Sequence, residues 1–306
     1  MMDALREAIH QPSSIGQIKQ LIQDLEDIDA LFPDDYTPLM LACSLGNVEV
    51  VQILLEDARI NVNKTNQYGR TALFYACQEN ELSCVRYLLE NKNVDINHKD
   101  VEKVTPFILS CWYQHIEIVK ELLKNIKIEV NARTYQGVTG FFIVCEKGNL
   151  ELVKLLLADK RVEVNQKTEH GATPIFVASQ NGYPKIVRYL LASGREMDIK
   201  EKHQQFQRNT IEQAKFCSTS KKDGLETEEE LKRQHKKCLK IVKILESFEA
   251  NPEKVRAELR KKLNLPGFFS LLFFFSFFIF FHFFFLFFFL FWTLKKLSSI
   301  YRKIYI

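Results

Sequence analysis

Five threonines, Thr37, Thr71, Thr105, Thr139 and Thr173, stand 34 residues apart. Each opens a similar hexad: TPLMLA at 37–42, TALFYA at 71–76, TPFILS at 105–110, TGFFIV at 139–144 and TPIFVA at 173–178. A second apolar run follows in every unit (VEVVQILL, LSCVRYLL, IEIVKELL, LELVKLLL, PKIVRYLL). Then comes INVN, VDIN, IEVN or VEVN, which sets Asn63, Asn97, Asn131 and Asn165 in the same phase. This period constrains the fold more than any other feature. One unit is too short to bury its own apolar face, but stacked units can, and stability becomes a sum of unit and neighbour terms.

Each unit reads as helix, turn, helix, extended loop. Thr-Pro suits a helix start, because the hydroxyl accepts from free N–H groups and proline costs nothing at the first helical position. Gly46 and Gly148 fall between the two apolar runs, where the first helix must stop. Val48, Val51, Leu54 and Leu55 show helical spacing in the second run. Gly69, Gly137 and Gly171 mark a turn two residues before the next threonine.

The period, the paired helices and the TPL-type hexad resemble the ankyrin family, over residues 1–250. The fold expected is an all-α ankyrin-repeat solenoid. Its repeats fall at 36–69, 70–103, 104–137, 138–171 and 172–202. Residues 1–35 form N-terminal capping helices, with Ile15, Ile18, Leu21, Ile22 and Leu25 in one stripe. Residues 203–250 form a degenerate C-terminal cap, in which QRNTIEQAK at 207–215 resembles a late-repeat helix start and 218–230 is a polar insertion. The sequence departs from the family pattern in three ways. The histidine after TPL is absent from all five hexads. Gly140 replaces proline, which should weaken that helix start, so that Gly140→Pro should stabilise. Lys103 stands where a turn glycine is expected, which should strain that hairpin.

The resemblance implies a concave binding surface built from hairpin tips and the exposed face of each first helix. Carried over unit by unit, it assigns Tyr68 and Arg70 to the second unit, Glu102, Trp112 and Tyr113 to the third, Tyr135 and Lys147 to the fourth and His170 to the fifth. The family usually carries polar residues where Tyr68, Trp112, Tyr113 and Tyr135 stand. Large aromatics are favoured binding anchors, and Trp112 with Tyr135 could form one apolar step. The alternative is that these rings only pack against neighbouring hairpins, the preferred reading for Tyr113. The partner implied is a protein, bound by a monomer.

The tail differs in kind. From Asn251 onward there are nine Lys/Arg against two Asp/Glu, which leaves the first 250 residues at −3 out of a total of +4. That distribution points to a membrane surface rather than to nucleic acid. Residues 251–265 form a basic amphipathic helix opened by Pro252. From Gly267 to Leu294 no residue is formally charged and 16 of the 28 are Phe. As a helix this tract is about 42 Å long, enough to span a bilayer with some tilt. A basic tail, 295–306, follows. The expectation is a single-pass C-terminal anchor that leaves the repeats in the cytosol. The same composition would arise if a T-rich non-coding stretch were translated in frame, and the protein would then be a soluble adaptor.

No catalytic constellation is present: no Gly-rich phosphate loop, HExxH or GxSxG. The start lacks a secretory apolar core. Seven cysteines with no CxxC read as reduced thiols. Cys43, Cys77, Cys111 and Cys145 recur at the repeat period, but stacked helices lie about 8–10 Å apart. That is too far for thiolates at roughly 2.3 Å to share an ion. Asn63-Lys64-Thr65 matches a glycosylation sequon that a cytosolic repeat would leave unused. The function expected is a non-catalytic protein-interaction scaffold or adaptor with no cofactor and no metal. A regulatory fragment of a larger membrane enzyme or channel is the alternative, although the chain shows neither several spans nor an Asp-His-His-Cys motif.

Overall fold

The computed structural model describes residues 1–10, 15–220 and 227–265. The chain divides into two units, Met1–Ala250 and Asn251–Ile306. The described residues form helices and no strand.

In the first unit the helices come in pairs. They are α1 (Met2–His10) with α2 (Ile15–Gln23), α3 (Pro38–Ser44) with α4 (Val48–Glu56), and α5 (Ala72–Gln78) with α6 (Leu82–Glu90). Next come α7 (Pro106–Tyr113) with α8 (Ile116–Leu123), and α9 (Gly140–Lys147) with α10 (Leu150–Ala158). The last are α11 (Pro174–Gln180) with α12 (Pro184–Ala192), and α13 (Thr210–Cys217) with α14 (Glu228–Ala250). First helices pack on first helices, from α1 through α13, and second helices on second helices, from α2 through α14. Two parallel rows of helices result, with the core between them. The hexad residues are the most deeply enclosed, Phe107, Phe141 and Phe74 among them.

Local chemistry explains the helix starts. Thr37, Thr105, Thr139 and Thr173 accept through Oγ1 from the N–H three residues on, at 3.1, 3.2, 3.1 and 3.3 Å. Thr71, the one followed by alanine, makes no such bond. Gly140 does not weaken its start, because Thr139 caps α9 as in the other units. A Cβ on Gly140 would lie 2.9 Å from Cys111 Sγ and 3.0 Å from the Phe107 ring. The glycine is there for close packing on the preceding repeat, so the expected gain from Gly140→Pro is reversed.

The backbone turns left-handed at Asp35, Gly69, Lys103, Gly137 and Gly171, at the repeat period. Lys103 adopts φ 59 because its hairpin demands it, at a cost of order 1 kcal/mol against glycine. Asp100 holds that hairpin closed: its Oδ1 accepts from the N–H groups of Glu102 and Val104, both at 2.9 Å.

The recurring asparagines form a ladder. Asn63, Asn97, Asn131 and Asn165 each donate through Nδ2 to a carbonyl of the next repeat, at Asn93, Lys127, Arg161 and Glu196. Each accepts through Oδ1 from an N–H of that repeat, at Asp95, Glu129, Glu163 and Asp198. Asn63 is therefore committed through both side-chain atoms, which accounts for its place in the sequon-like triplet.

The C-terminal pair keeps this plan with different residues. The hairpin before it is one residue longer, closed by the His203 N–H donating to Arg208 O at 2.9 Å. Asn209 and Glu212 form a reciprocal capping box at the start of α13. The second helix, α14, is 23 residues long and buries Cys238, Ile241, Val242, Leu245 and Phe248.

In the second unit the described element is α15 (Pro252–Lys262), capped by Asn251, whose Oδ1 accepts from the Lys254 N–H at 3.1 Å. Among the described residues no helix is long and apolar enough to cross a membrane. The expected span at 267–294 and the tail at 295–306 lie outside the described residues, as does 221–226 of the polar insertion.

Candidate partner-binding surface

Hairpin tips are linked in a line along the stack. Val101 N–H donates to Tyr68 O at 3.0 Å, Tyr135 N–H to Glu102 O at 3.3 Å, Glu169 N–H to Gln136 O at 2.9 Å, and Gln204 N–H to His170 O at 3.0 Å. The side chains at the tips are thus carried on backbone bonded to the next repeat on each side. Tyr68, Glu102, Tyr135 and His170 all belong to this line, and all four are exposed.

The exposed aromatics have cationic neighbours. The Lys147 ammonium sits 4.4 Å from the centre of the Trp112 ring, joining the ends of α9 and α7. Lys103 sits 4.4 Å from Tyr135. Arg70 lies 5.6 Å from Tyr68 and 5.1 Å from Phe74. It also faces the Asp100 carboxylate at 3.6 Å. Trp112 and Tyr135 therefore each carry a lysine of their own. Tyr113 stacks on His115 at 5.7 Å, and His115 in turn reaches Gln78 O of the preceding repeat at 3.0 Å. Even so, Tyr68, Trp112, Tyr113 and Tyr135 remain 51, 47, 48 and 58% exposed.

Val101, which the same unit-by-unit transfer places on this surface, is a further exposed apolar side chain, 52% accessible. Two basic residues of this region escaped the sequence reading. Arg133 and Lys167, one repeat apart, bridge to the following repeat at Glu169 (3.1 Å) and Glu201 (3.1 Å). An open groove of about 830 Å³ runs beside them, lined also by Glu163, Asn165 and Arg195. The signal was a basic residue recurring at 99, 133 and 167, one residue before each hairpin.

Four thiols recurring at the repeat period are buried. Burial pushes Cys77 up to about 12 and also drives Cys43, Cys111 and Cys145 upward, so all four are protonated at neutral pH. Among the described residues no group of His, Cys, Asp and Glu could hold a metal ion. His203, stacked between Phe176 and Phe206, is held below the ordinary histidine range by burial and by nearby His170.

A family model described as ankyrin repeats (3 copies) matches residues 5–100, 60–134 and 107–202. The chain belongs to the ankyrin-repeat family. The ankyrin fold is also similar to the crystal structure of the ankyrin repeat domain of Bcl-3, a unique member of the IkappaB protein family. That likeness has a TM-score of 0.61 and 24% identity, over 68% of this chain and 92% of that chain. At this identity it speaks to the fold alone. No curated protein matches the chain. As an ankyrin-repeat array, the molecule presents a surface suited to binding another protein.

Proposed function

We propose that the chain is a non-catalytic scaffold or adaptor. It binds a protein partner through the face made of hairpin tips and first-helix ends, centred on the third and fourth repeats. Trp112, Tyr113 and Tyr135 are the apolar anchors, Tyr68 and Arg70 extend the surface towards the N-terminus, and Glu102, Lys147 and His170 supply the polar rim. The observation that carries this reading is the half-exposure of Tyr68 and Tyr135 on hairpins bonded tip to tip, and of Trp112 and Tyr113 at the end of α7. Folding alone gains little from leaving them in water. Aromatic rings held this way lose little entropy on binding. The charge-free tract 267–294, between basic flanks, supports a membrane anchor that keeps the array on the cytosolic side.

The test compares pull-downs by the full chain with those by Trp112→Ala and Tyr135→Ala, with Ile126→Ala as an exposed apolar control. Loss of a partner equivalent to about 2 kcal/mol or more, with circular dichroism unchanged, is the expected result. A folded Trp112→Ala that retains every partner places the site elsewhere. The anchor is tested separately: the full chain should stay with membranes after alkaline carbonate extraction.

A further inference from the structure

The outer face of α14 carries charge of one sign. Between Leu231 and Leu245 stand Lys232, Arg233, Lys236, Lys237, Lys240 and Lys243, with no acidic residue. Lys236, Lys240 and Lys243 follow helical spacing on the side opposite the buried stripe of Cys238, Ile241, Val242 and Leu245. All three are exposed, as are Lys232 and Arg233. Acidic residues lie only at the helix ends. Glu228 pairs with Lys232 at 2.7 Å and Glu246 with Lys215 at 2.7 Å. Arg233, Lys236, Lys240 and Lys243 form no ion pair among the described residues.

The second helix of the third repeat, α8, shows the ordinary arrangement. Lys120 pairs with Glu117 and lies near Glu151, and Lys124 pairs with Glu121, which also takes Arg86 from α6. Mixed signs on α8 hold neighbours together and cancel. Among the described residues Arg233, Lys236, Lys240 and Lys243 do neither, and α14 is the last helix of the array. On the flank of its basic face Leu239 is 50% exposed.

We infer that the exposed face of α14 is a docking surface for an anionic lipid bilayer. Lysines on one helix face are attracted to acidic headgroups, and a leucine among them gains by dipping to the headgroup level. A phosphodiester backbone would use the lysines and leave Leu239 in water, so the face fits lipid better than nucleic acid. The chain connectivity agrees. Only 16 residues, 251–266, separate α14 from the charge-free tract, a reach of at most about 56 Å. The inference rests on described residues of the array and holds whether or not that tract spans a membrane.

The test is flotation of the full chain with neutral phosphatidylcholine vesicles and with vesicles containing 30% phosphatidylserine. The readout is the ratio of the two partition coefficients. Replacing Lys236, Lys240 and Lys243 together by Glu should lower that ratio at least a hundredfold, since each lysine near such a surface is worth about fivefold. The same charge change at exposed Lys92, Lys127 and Lys160 should lower it far less. An unchanged ratio in the α14 variant overturns the inference, and so does an equal loss in the control variant. Binding to single-stranded RNA in place of vesicles, with the same dependence on α14, overturns it too. The anchor is read apart from this, by binding to neutral vesicles, which the α14 variant should leave as it was.

Discussion

The middle of the stack and its ends are built from the same helix pair but solve different problems. Repeats three and four have a neighbour on both sides. Their side chains are drawn into inter-repeat contacts: the asparagine ladder, Lys147 over Trp112, Lys103 over Tyr135, and Gly140 pressed on Phe107 and Cys111. The ends have one neighbour each. At the N-terminus Gly16 of α2 has nothing within 4 Å of an added Cβ. At the C-terminus Asn209 and Glu212 cap locally, and α14 turns a lysine face to solvent. The difference teaches where sequence is free. Two-sided packing draws even half-exposed side chains into contacts between repeats, whereas a one-sided cap has a face left over for solubility or for a surface.

The sharpest way to break this comparison is to empty the core in each region. Phe107→Ala should cost about 3–5 kcal/mol of global stability in denaturant, because two neighbours lose contacts. Leu245→Ala removes a side chain equally buried in α14. Its effect should appear as lost amide protection over 210–248, with residues 37–192 still protected. Uniform loss of protection in both variants would mean that the array and its cap unfold as one.

A smaller and opposite-signed pair follows from the glycines. Gly140→Pro should destabilise by about 1–3 kcal/mol through overpacking against Cys111 and Phe107. Gly16→Ala, in open space on an exposed helix, should stabilise by roughly 0.5–1 kcal/mol. A rise in melting temperature for Gly140→Pro would show that the middle yields as easily as the end.

The smallest effect is one of pH. His203, at the border of the array and the C-terminal cap, is lowered by burial first and by His170 second. The unfolded chain therefore takes up the proton before the folded one does. The stabilising contribution is complete above about 6.5 and is lost as pH falls from there towards the lower folded value. His203→Asn, which puts the side chain of Asn66 at the same hairpin position, should flatten the dependence of the unfolding midpoint between about pH 7.5 and 5.5. An undiminished slope would assign the titration to another group.

Of the candidate surface, the sequence showed which residues lie at the tips but not what they touch. Trp112 and Tyr135 could be placed on one face by counting from the hexads. That a lysine of the adjacent repeat would cover each ring could not. Lys103 illustrates both sides of this divide. Its left-handed backbone could be anticipated from the glycines in phase with it. Its contact with Tyr135, 32 residues away, needed the stack itself.

What the sequence determined alone was local and periodic. A threonine hydroxyl reaches an N–H three residues on, a left-handed turn recurs at a set place, and an apolar stripe needs a neighbour to cover it. Short-range sterics and hydrogen bonds govern all three, so repetition made them readable. Only the tertiary structure decided which residues meet across repeats: the two-way bonds of each asparagine, the close seat of Gly140 and the lysines over the rings. Those contacts join residues about one repeat apart, and they depend on how one helix pair settles on the next. The outward lysine face of α14 was likewise settled by packing, because burial of the opposite stripe is what turns that face outward.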